Sequence, residues 1–120
     1  MRKWTKSLVI QQYISSCAII QSATVAGDYK TSNKERPKLI AAYKWLEKNI
    51  CEANEVLGEL LQNESPVVQT KAAAHCLCLN VNKNEAISIL RSVSKRNDIW
   101  GFNAQQTLEA YKKESSLRAY

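Results

Sequence analysis

His75 is the only histidine in the chain, and it stands three residues before Cys78 in the run AAAHCLCL. Residues three apart on a helix share a face, so an imidazole and a thiol placed this way could act as base and nucleophile. Such a pair also needs a third group to fix the imidazole tautomer and donors for a developing oxyanion. No carboxylate stands near His75 to orient it, and Lys71, one turn earlier, brings a cation to the same face. The reading that follows is a partly exposed groove histidine, not a catalytic dyad.

Cys17, Cys51, Cys76 and Cys78 raise the question of a disulfide or a zinc site. Cys76 and Cys78 are two apart on one helix and point about 200° away from each other, which suits neither a shared metal nor a mutual bridge. The cysteines are expected to be small hydrophobes in a reducing compartment. The sequence has no phosphate loop, no Rossmann glycine pattern, no zinc-finger spacing and no HExxH. No cofactor, no metal and no enzymatic activity are therefore expected.

With 17 basic and 11 acidic residues, the chain carries a formal charge of +6. The charge is unevenly placed: residues 1–50 hold nine basic and three acidic side chains, 51–82 one and four, and 83–120 seven and four. A basic total permits a nucleic acid, an anionic surface or an acidic protein as partner without choosing among them. No apolar run approaches the roughly 18 residues of a membrane helix. The basic opening MRKWTK and the segment after it resemble a leader, but Gln11, Gln12, Ser15 and Ser16 interrupt the apolar block. A cytoplasmic protein is expected.

The elements that must position these residues are helices. Three Gly, two Pro and a wealth of Ala, Leu, Lys, Glu and Gln argue for an all-α chain of 120 residues in one domain. Residues 65–79, SPVVQTKAAAHCLCL, are the central helix: Ser65 caps it, Pro66 fits its first position, and Asn80 ends it. Only Gln69, Thr70, Lys71 and His75 break its apolar surface, which marks a helix enclosed from several sides.

A first helix over 5–25 buries Val9, Tyr13, Cys17 and Ile20, and Gly27 with Asp28 ends it and starts the next. The second, over 29–49, buries Leu39, Tyr43, Leu46 and Ile50. Pro37 should kink or split it near Glu35, and Trp45 falls outside its apolar stripe. A third helix over 52–62 turns Ala53, Val56, Leu57 and Leu60 inward and sets Glu52, Glu55 and Glu59 in an outer row. Asn82 and Glu85 have capping-box spacing at the start of a fifth over 83–95. A sixth begins at Trp100 or Phe102 and runs to 113, leaving a frayed tail over 114–120.

Glu55 to Gln62 aligns with Glu85 to Ser92 at an offset of 30, and Ala73 and Leu77 align with Ala104 and Leu108 at 31. Tandem helical hairpins at this period are the signature of a HEAT/armadillo-like α-solenoid, here of about six helices in three hairpins. A globular bundle is the alternative. The segments GDYKTSNK (27–34), AAAHCLCLN with EAISIL after it, and GFNAQQTLEAYKK (101–113) resemble an uncharacterised bacterial family of small HEAT-like domains. That resemblance runs from the first helix through Lys113. It implies an immunity protein that binds and neutralises a secreted antibacterial toxin domain of the contact-dependent inhibition, Rhs or type VI kind, by occlusion.

If the second helices of the hairpins line one face, the 31-residue offset sets Lys71 beside Phe102 and His75 beside Gln106, with Trp45 and Lys48 extending the row. Trp45 and Phe102 are then the aromatic anchors and the lysines steer an acidic partner. The alternative role for Trp45 is to cover the Pro37 kink. Glu52, Glu55 and Glu59 form a second-choice partner surface on the opposite side. A helical-repeat scaffold, or a nucleic-acid module using Lys44, Lys48, Lys71, Arg91 and Lys95, is the competing function, although these cations are scattered among acids.

Overall fold

The computed structural model describes residues 4–114. Six helices account for the ordered elements among them: α1 Lys6–Ala26, α2 Tyr29–Lys48, α3 Ile50–Leu60, α4 Pro66–Leu79, α5 Lys83–Ser94 and α6 Ile99–Glu114. None is long and apolar enough to cross a membrane. Glu114 closes α6, and the remainder of the expected frayed tail lies outside the described residues.

Local chemistry sets most boundaries. Thr5 accepts a hydrogen bond from the Leu8 amide at 3.2 Å, and Gly27 ends α1 in the left-handed region at φ 73°. That conformation costs glycine nothing. Asp28 then caps α2, accepting from the Thr31 amide at 3.2 Å and the Thr31 hydroxyl at 2.6 Å. These bonds hold its carboxyl below the usual range. Ser65 accepts from the Val68 amide at 3.4 Å, and Asn80 closes α4 at φ 58°. Asp98 caps α6 through the Gly101 amide at 3.0 Å, which starts that helix at Ile99, slightly before the expected Trp100. A Cβ on Gly101 would stand 2.2 Å from the Arg96 carbonyl oxygen, so this turn requires glycine.

Several expectations are corrected. Pro37 does not split α2, which is continuous from Tyr29 to Lys48. Proline deprives the Asn33 carbonyl of its helical donor, but both residues are exposed and water can serve that oxygen. Ile50 does not extend the α2 stripe: Asn49 ends that helix, its side chain bonding the Trp45 carbonyl at 2.7 Å, and Ile50 starts α3 with 47% exposure. The capping box at α5 is not formed. Asn82 has φ 48° and its amide donates to the Asn54 carbonyl at 2.9 Å, while Glu85 accepts from Gln62 at 2.6 Å. Both side chains tie the start of α5 back to the α3 hairpin.

The core is organised around α4, which packs against α1, α3, α5 and α6. Ala72 and Ala73 are fully buried, and their small side chains let those neighbours approach. Leu46, Leu57, Leu77 and Leu90 converge from α2, α3, α4 and α5 into one buried cluster. Each such side chain contributes about 1.5–3 kcal/mol by leaving water. Trp45 is half-buried against this cluster rather than set apart from it. A second tie joins α1 to α2, where buried Ser16 donates to Glu35 at 3.1 Å and Lys38 reaches the same carboxylate at 2.8 Å. The Lys38 bond, more than Ser16, holds Glu35 ionised.

Candidate functional site

His75 stands inside the fold. The Tyr13 hydroxyl and His75 Nδ1 are 2.6 Å apart, the two rings meet edge to face at 5.5 Å, and the Tyr43 ring lies 4.6 Å away on the other side. The expected partly exposed histidine is thus a buried one, held between α1 and α2 by two tyrosines. Burial drives its pKa down to about 3, and the nearby Lys71 charge adds to the effect. Burial also raises Tyr13 well above its ordinary value. The contact therefore joins a neutral phenol to a neutral imidazole, and the phenol proton is satisfied when Tyr13 donates to Nδ1.

The cysteines around this centre are equally suppressed. Burial pushes Cys17 and Cys78 up to about 11 and Cys76 up to about 12. A cysteine nucleophile needs a depressed pKa and an electropositive, accessible setting. The His75 and Cys78 pair has shifts of the opposite sense on both members. All four thiols are free. Among the described residues no cluster of His, Cys, Asp or Glu is arranged to hold a metal.

Above His75 lies a groove of about 590 Å³, walled by α1, α2, α4 and α6. Leu39 and Ile40 from α2, Pro66 and Val67 from α4, and Trp100 from α6 give it apolar surface. Thr70, Lys71, Asn103, Gln106 and Thr107 give it donors and acceptors. Among the described residues, Arg36 and Lys71 are its only charged side chains. Burial lowers the Lys71 pKa; the Cys17 thiol opposes that shift and the Arg36 charge adds to it. On the same wall the Thr70 hydroxyl oxygen is buried without a hydrogen-bond partner.

Of the six residues expected on the partner face, Lys71, His75 and Gln106 line this groove, whereas Trp45, Lys48 and Phe102 do not. Phe102 is 57% exposed and Lys48 is exposed. The reason is register. The groove side of α6 is Trp100, Asn103, Gln106 and Thr107, and Phe102 lies about 100° round the helix from Asn103. Asn103, one position beyond the 31-residue offset from Lys71, lines the groove in place of Phe102, while Gln106 keeps that offset from His75. Arg36, Trp100 and Asn103 were not anticipated at the groove. Arg36 was hidden by the expected break at Pro37, and Trp100 by being read only as a helix start.

The acidic row lies on α3, which contributes nothing to the groove. Glu55 and Glu59 are exposed and Glu52 is half-buried. Lys6 reaches Glu55 at 2.7 Å, and that bond raises the lysine pKa. No family model matches the chain, and no curated protein or solved structure matches it with significance.

Proposed function

We propose that the chain is a non-enzymatic, HEAT/armadillo-like binding protein of three hairpins that neutralises a secreted antibacterial toxin domain by occluding it. The observation that carries this reading is the groove itself. It is concave and amphipathic, and α2, α4 and α6, the second helices of the hairpins α1–α2, α3–α4 and α5–α6, line it together with Cys17, Ile20 and Thr24 of the first helix α1. Two of the four like-helix pairs of successive hairpins pack closely, α1 on α3 and α4 on α6, a feature that stacked repeats would produce. The suppressed thiols and the buried, neutral histidine supply no activated nucleophile. The sequence resemblance supplies the toxin as partner and a bacterial cytoplasm as the setting.

The +6 charge and the two groove cations favour one second reading, a nucleic-acid module. Its cations are divided, however, because Arg91 and Lys95 stand on a polar face of α5 that does not join the groove. Co-expression with the toxin domain encoded beside it should yield a stable complex and rescue growth. No complex and no rescue would refute the immunity reading. A shift of mixed DNA or RNA by submicromolar protein at about 150 mM salt would favour the nucleic-acid reading instead.

A further inference from the structure

Among the described residues, the charge of the groove has no counterpart. Arg36 and Lys71 stand on its wall with no carboxylate beside them, and neither joins an ion pair among the described residues. Elsewhere cations do find acids: Lys6 meets Glu55 at 2.7 Å, Lys38 meets Glu35 at 2.8 Å, and Arg96 meets Asp98 at 2.7 Å. Lys71 is half-buried, so it gives up hydration without gaining a counter-ion. Asn103 and Gln106 add neutral amides beside the cations, and Leu39 and Ile40 add an apolar wall.

We propose that this groove is a slot for an acidic side chain, an aspartate or glutamate carried next to an apolar residue on a loop of the protein partner. The proposal rests on reading the chain as a protein binder. A carboxylate between the Arg36 guanidinium and the Lys71 ammonium would accept charge-assisted hydrogen bonds from both. Its apolar neighbour would cover Leu39 and Ile40. A nucleic-acid backbone fits less well, because it rewards a long row of cations and this wall holds two beside apolar surface. The volume, about 590 Å³, suits a few side chains and not a folded element.

The test uses the full chain, isotope-labelled and followed by NMR. It is titrated with a blocked tetrapeptide of leucine, two glutamates and leucine, with the same peptide carrying glutamine for glutamate, and with inorganic phosphate at matched ionic strength. The acidic peptide should move the amides of Lys71, Asn103 and Gln106 and bind about tenfold or more tighter than the glutamine peptide. Arg36→Gln and Lys71→Gln should each erase that difference. Since Arg36 is exposed, its variant keeps the test valid even if Lys71→Gln disturbs the fold. Equal binding of the two peptides would overturn the proposal. So would phosphate binding as tightly as the acidic peptide, which would make this a free-anion site. A toxin complex that forms while the acidic peptide leaves these amides unmoved would overturn the slot and keep the binder reading. Peptide discrimination in a chain that captures no toxin would support the slot and remove the immunity reading.

Discussion

The groove over α4 and the outer face of α3 present opposite charge on opposite terms. In the groove, half-buried Lys71 and exposed Arg36 share a concavity with apolar and amide side chains and, among the described residues, without an acid. On α3, Glu55 and Glu59 stand in open solvent, and Glu55 is already engaged by Lys6 at 2.7 Å. A solvated charge is screened, and its pairing contributes little, whereas a half-buried cation gains most from an incoming anion. Net charge alone does not separate the two surfaces. Their surroundings do: Lys71 is half-buried with no acid beside it among the described residues, whereas Glu55 is exposed and already paired.

The groove has a rigid floor on this account, and the largest expected effect tests it. Unfolded His75 takes up a proton below its ordinary 6.5, but the folded residue does so only near 3. The folded state is therefore fully favoured above pH 6.5 and loses about 1.4 kcal/mol per pH unit between 6.5 and 3. Unfolding free energies from urea titrations at pH 7 and pH 5 should differ by about 2 kcal/mol, and His75→Gln should flatten that interval. Asp28, Glu35 and Asp98, held below their ordinary range by hydrogen bonds, withdraw stability only as pH falls through their unfolded values of about 4, below the pH 7 to 5 comparison. A flat wild-type profile would mean that the histidine is solvated and the floor is open.

Ala73→Leu probes the other side of the same helix. Ala73 is fully enclosed, so the larger side chain should cost roughly 1–3 kcal/mol by overpacking, read as a lowered melting temperature. An unchanged transition would mean that α4 is not the centre of the fold. Thr70→Val should act in the opposite direction. It removes a buried hydroxyl that has no partner, and a gain of about 1 kcal/mol in thermal unfolding is expected. A loss of stability would show that the hydroxyl is satisfied in solution.

How far these regions were legible in the sequence depended on how local their causes are. The caps at Thr5, Asp28 and Ser65 and the left-handed Gly27 and Asn80 are written within a few residues, and the helix boundaries follow them closely. The enclosure of α4 was equally readable from its nearly continuous apolar surface. Asn82 and Glu85 misled because tertiary partners, Asn54 and Gln62, outcompeted the local box. His75 misled because its enclosure depends on Tyr13 and Tyr43, 62 residues away in one case, and no spacing within its own helix records them. The groove was half legible: the 31-residue offset from His75 to Gln106 holds, but the groove side of α6 turns toward Asn103 and Thr107 and leaves Phe102 exposed outside it. Arg36 depended on how α2 passes through Pro37, which propensity alone misjudges.

Charge reversal on each surface tests the choice of face most directly. Arg36→Glu with Lys71→Glu is set against Glu52→Lys with Glu59→Lys, each variant first checked for retained helicity, and both assayed for rescue of cells exposed to the toxin. The groove variant should lose protection while the α3 variant keeps it. Protection lost on α3 and kept at the groove would contradict the account.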